Sequence, residues 1–313
     1  MGRFGRGVRK ALLLCLGAAV LFVLWLGFVW PPPSWWRTHW PAETAFMNMR
    51  ERRLAASHDT TPRRYRAVPL DSMNDWLEKA ATAGEDDAFF THHGIDYHAL
   101  REALGYRRPE FAWGDARDRA ELRRALGRAR ERRDQLRGAS TITQQLAKNL
   151  YLSPSRNPLR KLKEAVIAYR LEWALTKPRI LALYLNVAEF GPNLWGVEAA
   201  SQLYFGRGAP RLSMDQAALL VATLPHPLTS NPAYRPGRTR WRQQLILRRL
   251  RGEPVEVPHE AAEDSALANP PAAADTIIRQ DSTVRRDTIV PRNDSAAVPQ
   301  RDSTARKPSP VSR

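Results

Sequence analysis

Gly138-Ala139-Ser140-Thr141-Ile142-Thr143-Gln144-Gln145-Leu146-Ala147-Lys148-Asn149 sets hydroxyls, two adjacent carboxamides, a lysine and an asparagine behind a glycine, and still has the pattern of a helix start. Thr141 followed three residues later by Gln144 has the spacing of a capping box, in which each side chain accepts from the other residue's backbone N–H. From there Ile142, Leu146 and Leu150 recur on one side and Thr141, Gln144 and Lys148 on another. The pattern predicts a helix with one side in a core and the other presenting donors. An ordinary surface helix wets its outer face with Glu, Lys and Arg. Paired amides beside hydroxyls suit a ligand rich in hydroxyls, amides or phosphate oxygens.

Around this stretch lie 313 residues, room for one large or two ordinary domains with a real core. The 49 Lys and Arg against 32 Asp and Glu leave a formal charge of +17. That excess favours an anionic partner: nucleic acid, an anionic membrane surface or a phosphorylated substrate. The single cysteine, Cys15, sits in an apolar run, which excludes an intrachain disulfide and a cysteine metal cluster and argues against redox chemistry.

Arg3, Arg6, Arg9 and Lys10 precede an uncharged run from Ala11 to Trp30. About 20 residues rising roughly 1.5 Å each match the thickness of a bilayer's hydrocarbon core. A cleaved signal peptide calls for a shorter apolar run and a small-residue cleavage site, whereas this run ends in Trp30-Pro31-Pro32-Pro33-Ser34-Trp35-Trp36. The expected division is therefore a cytoplasmic basic segment 1–10, one transmembrane helix 11–30 and a juxtamembrane segment 31–70 without clear periodicity. Basic residues before the span put the N-terminus in the cytoplasm and the remainder on the periplasmic side of the inner membrane. Nucleic acid is then a poor partner.

A folded domain is expected over 71–251, mainly α-helical because strand signals are sparse. A helix from Met73 to Gly84 leads into Glu85-Asp86-Asp87-Ala88-Phe89-Phe90-Thr91-His92-His93-Gly94, where three successive carboxylates beside aromatics and histidines have the makings of a cleft wall. The spacing of His92 and His93 beside Asp86 and Asp87 fits no standard metal-ligand set. Tyr106 to Arg137 is dense in arginine with interspersed acids, the pattern of a solvated helix laced with weak ion pairs; a flap or a patch on anionic headgroups is the functional alternative. Asn157-Pro158 opens a helix carrying Leu162, Val166, Tyr169 and Trp173, with Arg160, Lys161 and Glu164 on one polar face. Pro178 starts another, Gly191 and Pro192 break it, and helices follow over Gly196 to Phe205, Met214 to Leu224 behind a Ser213/Gln216 capping box, and Thr239 to Leu250. Residues 252–313 turn to Pro, Ala, Asp, Ser, Thr and Arg and are expected to be a disordered tail.

The order Glu85-Asp86, Phe89, His92, Gly94, then Gly138 to Asn149, then Arg160-Lys161 with Glu164, then Tyr184-Leu185-Asn186 with Phe190-Gly191, resembles the family 51 glycosyltransferases over roughly residues 70 to 250. The resemblance is to the monofunctional, membrane-anchored type. It implies a lysozyme-like helical domain that polymerises lipid II into glycan strands by inverting transfer outside the cytoplasmic membrane. In the implied reaction a GlcNAc 4-hydroxyl attacks the anomeric carbon of a MurNAc that carries a lipid pyrophosphate. By motif match Glu85 is the general base and Glu164 a second essential acid. The basic set Lys148, Arg156, Arg160, Lys161 and Lys163 would stabilise the leaving pyrophosphate. Ser140, Thr141, Gln144, Gln145 and Asn149 would orient sugars and phosphates, with Asp86, Phe89 and His92 also in the substrate site. No dedicated metal site is expected, while a divalent cation (Mg2+ or Mn2+) could ride with the pyrophosphate and touch Asp86. The expected partners are lipid II, the growing strand, the bilayer and other wall-synthesis proteins. The rivals are a lytic glycan-cleaving enzyme on the same fold, which needs a protonated acid but no pyrophosphate pocket, and a non-catalytic membrane protein that binds wall precursors.

Overall fold

The computed structural model describes residues 4–106, 108, 111–131, 140–152 and 158–253. Arg156, the end of the arginine-rich segment and all but the first two residues of the expected tail lie outside them. Most of the described chain is helical, as expected.

The centre is α8 (Lys177–Val187), whose residues from Ile180 to Val187 are all buried. A helix apolar on every side must sit inside other helices. It is packed by α6 (Ile142–Tyr151), which also meets α7 (Pro158–Ala174) and α2 (Ala45–Ala56). Ile142 and Leu146 are fully buried there, each contributing roughly 1.5–3 kcal/mol of transfer free energy. A second group joins α3 (Asp75–Glu85), α10 (Met214–Thr223) and α11 (Gly237–Leu250). The packing is closest at Gly84, where an added Cβ would lie 2.9 Å from Val221 Cγ1 and 3.0 Å from Ile246 Cδ1. Glu85, the last residue of α3, thus stands where the two groups meet.

Three short strands, β1 (Arg64–Tyr65), β2 (Glu189–Gly191) and β3 (Leu194–Trp195), form a sheet in the order β1-β3-β2. β3 runs parallel to β1 and antiparallel to β2, with Glu189 opposite Trp195. The Gly191-Pro192 helix break is therefore a β-turn between strands. Gly196, at φ +79° and opening α9 (Val197–Phe205), has room for no side chain, since a Cβ would lie 2.6 Å from Asn186 O.

The juxtamembrane segment departs from expectation, for it is built into the domain. α2 starts where Thr44 Oγ1 accepts from Met47 N at 3.1 Å. Its amphipathic pattern is hidden because Met47 is its one buried side chain and Arg50, Arg52 and Arg53 crowd the rest. Upstream, Trp36 Nε1 donates to Tyr151 at 2.6 Å and Arg37 Nε to Ala174 O at 2.7 Å.

Of the expected spanning segment 11–30 only the part up to Gly27 is helical, in α1 (Phe4–Gly27), which packs on α7 and exposes Leu13, Leu14, Val20, Leu21, Val23 and Leu24. Among the described residues, no helix is long and apolar enough to cross a membrane. α5 (Ala116–Glu131) confirms a helix in the arginine-rich segment, tied down where Asp118 accepts from Ala112 N at 2.8 Å and pairs with Arg108 at 2.7 Å.

Candidate active site

The start of α6 is overdetermined. Thr141 Oγ1 accepts from Gln144 N, and Gln144 Oε1 from Thr141 N, each at 3.1 Å, which is the predicted capping box. Thr141 Oγ1 also donates to Gly94 O at 2.7 Å, and Asp86 Oδ2 accepts from Ile142 N at 2.9 Å. His92 Nε2 meets the same carboxylate at 2.9 and 3.0 Å, while its Nδ1 accepts from Gly94 N at 3.2 Å. With Nδ1 accepting, Nε2 carries the proton. Gly94 holds φ +90°, and a Cβ there would lie 3.2 Å from the Ala168 backbone. The network ties the start of α6 to the end of α3.

Its consequence is the position of Gln145. Gln145 Nε2 donates to Glu85 Oε2 at 2.8 Å, and its Oε1 accepts from Tyr184 Oη at 3.0 Å. Burial, and after it the charge of Glu85, pushes Tyr184 well above the usual phenol range, so it stays a donor. The other Glu85 oxygen accepts from Arg242 Nη2 at 2.9 Å, and the same nitrogen donates to Gly84 O at 2.7 Å. Glu85 is thus gripped from α6 on one side and α11 on the other.

Lys148, one turn beyond Gln145, lines a cleft of about 320 Å³ with Gln145, Asn149, Tyr184, Phe46, Arg50 and Glu189, closed by the loop Leu224 to Thr229. Burial pushes Lys148 below the usual lysine range. Glu164 and Glu85 pull it back, while Lys161 and Arg160 act with burial, so Lys148 lies in the field of both acids. Among the described residues no carboxylate is within ion-pair distance of Lys148, and the Asn149 side chain makes no hydrogen bond. Both line the cleft. Glu164 is buried and takes Arg160 Nη1 at 2.6 Å and Lys161 Nζ, which also donates to Ser140 Oγ at 2.9 Å. An exposed ion pair on one helix face, the plain reading of this spacing, is therefore not what forms.

The structure brings Glu85, Ser140, Gln145, Lys148, Asn149, Arg160, Lys161 and Glu164 together. Of these, Gln145, Lys148 and Asn149 line the cleft, and the rest of the predicted set is not part of this group. Phe89 is fully buried under Lys177 Nζ, 4.4 Å from its ring, as a core side chain. Lys163 reaches the other way, 4.5 Å over the Trp25 ring of α1. Asp86, His92, Thr141 and Gln144 spend their hydrogen bonds on the start of α6 rather than facing a ligand. Arg156 lies outside the described residues. Both Asp86 oxygens accept within this network, from His92 Nε2 and from Ile142 N. Among the described residues no group of three or more His, Cys, Asp or Glu is placed to hold a metal ion. Sequence reasoning missed Arg242, Arg50 and Glu189, and gave Tyr184 no role beyond its place in the motif. Arg242 is 157 positions from Glu85, beyond the reach of any local pattern.

Residues 109–251 match the family model described as Transglycosylase. Over 253 residues the chain is 36% identical to the biosynthetic peptidoglycan transglycosylase of Bordetella pertussis, covering 81% of this chain and 95% of that one. The chain belongs to the transglycosylase family. Two further relatives of the same name agree: one from Azoarcus sp. is 39% identical over 68% of this chain and 82% of its own, and one from Acinetobacter baumannii is 35% identical over 76% and 93%. The family 51 resemblance read from the motifs is correct, and the protein is an enzyme of the glycosyltransferase class.

Proposed function

We propose that this transglycosylase polymerises lipid II into glycan strands by inverting transfer, with Glu85 as general base. The observation that carries the reading is the grip of Gln145 and Arg242 on Glu85, one helical turn from a lysine that has no carboxylate partner among the described residues. A GlcNAc 4-hydroxyl gives its proton to Glu85 as its oxygen bonds to C1 of the MurNAc, and the bond from C1 to the lipid pyrophosphate breaks on the opposite face. Positioned proton transfer of this kind contributes about 10² to 10⁴ in rate. The pyrophosphate leaves with its own negative charge, and Lys148, with Arg160 and Lys161 oriented by Glu164, stabilises it. Asn149 and Ser140 hold sugar or phosphate oxygens.

The α6 start network sets the register between base and cations, which is where orientation contributes most, up to about 7 to 11 kcal/mol. A lysozyme-like domain is consistent with the helical body. A divalent ion accompanying the pyrophosphate would meet the substrate's own oxygens rather than Asp86. We place the enzyme at the cell envelope, with the apolar run from Ala11 to Trp30 as a single-pass anchor and the catalytic domain outside, although no described helix is by itself long and apolar enough to span. The uncharged run from Ala11 to Trp30 and the exposed leucines and valines of α1 support this. Other wall-synthesis proteins would be neighbours there.

Purified detergent-held protein given labelled lipid II tests the reading. Growth of a ladder of glycan chains supports it; shortening of preformed glycan without polymerisation replaces it with a lytic activity, and binding of lipid II without either product with a non-catalytic role.

A further inference from the structure

We propose that the outer face of α5 is a docking surface for anionic lipid headgroups, whose phosphate oxygens Arg117, Arg119, Arg123 and Arg124 meet beside the point where the chain leaves the bilayer. The proposal rests on the single-pass anchor reading above.

The plain alternative for an arginine-rich helix is a solvated face laced with ion pairs, and the described residues do not form one. Asp115 accepts from Arg117 N at 2.7 Å and Asp118 from Ala112 N at 2.8 Å, and both pair with Arg108, which precedes the helix. Glu121, its side chain 15% exposed, takes Arg124 at 3.3 Å. Among the described residues no carboxylate is within ion-pair distance of Arg117, Arg119 or Arg123. Asp118 and Ala125 are buried on one side of α5, while the four arginines are exposed around the opposite side, flanking Ala116 and Ala120. Leu126 borders that basic face, as does Trp113, 74% exposed, whose backbone oxygen accepts from Arg119 Nη1.

Contacts connect this face to the end of the apolar run. The last turn of α1 meets α7, with Lys163 Nζ 4.5 Å over the Trp25 ring and Arg170 donating to Gly27 O. The adjacent Tyr169 hydrogen-bonds Tyr97, which opens α4 (Tyr97–Ala103), and Tyr106, just past α4, donates to Asp118 of α5 at 3.2 Å. On the same side of α7 as Tyr169, Leu162 and Trp173 are exposed, the latter at 90%. Indole rings and leucines left bare where an apolar run ends suit the headgroup boundary of a bilayer. Guanidinium groups beside them suit its phosphates, which they bind through paired hydrogen bonds. Nucleic acid, the other extended anionic surface, is not met by a domain outside the membrane.

The test uses the full chain carrying Cys15→Ser and Ala116→Cys, labelled at position 116 with an environment-sensitive fluorophore and reconstituted one copy per nanodisc. Emission should shift to the blue in discs containing phosphatidylglycerol and not in discs of phosphatidylcholine alone, and added salt should reverse the shift. Replacing the four arginines with glutamine should weaken the response to phosphatidylglycerol at least about tenfold, since one arginine near an anionic surface is already worth about fivefold. Replacing them with lysine should keep most of it, which separates charge from a change in the helix. Equal emission in neutral and anionic discs, an undiminished response in the glutamine variant, or a lysine variant as unresponsive as the glutamine one overturns the proposal. A shift that follows the number of copies per disc instead of lipid charge makes the occupant a second copy and overturns it too. The readout uses no substrate, so it is independent of the lipid II reading; protein that does not co-elute with the discs overturns the proposal through the anchor beneath it.

Discussion

Gln145 and Glu85, 60 positions apart in the chain, meet at 2.8 Å, and that bond joins the helix group built on α8 to the group built on α3. Glu85 has its second oxygen on Arg242, so its orientation depends on two elements besides its own helix, α6 and α11. Arg242→Gln should therefore lower kcat by about 10², the cost of a misplacement near 1 Å at a reacting group. The far-ultraviolet circular dichroism spectrum should be unchanged. Steady-state polymerisation rates beside that spectrum check both halves.

Lys148 should show opposite effects on stability and activity. Its folded pKa lies below the unfolded value, so between the two the unfolded chain binds more protons and stability rises with pH. Below that window the charged ammonium is a net cost to the fold. Lys148→Met should accordingly raise the thermal midpoint at neutral pH and cut kcat by about 10² or more, as the loss of one transition-state charge contact does. Calorimetry and kinetics on the same preparation test this.

The same shift sets a pH limit. An active-site cation is required in its protonated form, so the alkaline limb of kcat should fall below the range of an ordinary lysine. A limb at or above the ordinary range would remove Lys148 as the group responsible.

Asp86 and Thr141 act on the fold first. Asp86→Ala strands the Ile142 N–H and His92 in a buried site, which should cost about 1–3 kcal/mol. Thr141→Ala removes the cap of α6 and should cost about 1 kcal/mol. Urea unfolding midpoints measure both, and activity should fall in step with stability.

The helix starts were legible because capping chemistry is local: Thr141 with Gln144 and Ser213 with Gln216 both form the boxes their spacing predicts. The core stripe of Ile142, Leu146 and Leu150 was legible for the same reason, since period and burial agree. The cap that identifies the helix also uses the Gln144 side-chain oxygen expected to face a ligand. Phe89 was misread because an aromatic inside a functional motif looks the same whether it packs or binds. Arg242, Arg50 and Glu189 carry no local signal at all; they matter through partners 157 and 139 positions away. α2 was hidden because a helix with one buried side chain has no stripe to read.

The most direct measurement is the initial rate at which purified, detergent-held protein converts labelled lipid II into glycan chains, taken for the native enzyme and for Glu85→Gln. The amide keeps the size of the side chain and cannot take the proton, while its NH2 replaces one of the two oxygens that accept from Gln145 and Arg242. Polymer from the native enzyme and at least about 10² less from a variant with the same unfolding midpoint is the predicted result. Polymerisation at the native rate by Glu85→Gln would contradict the assignment of the base.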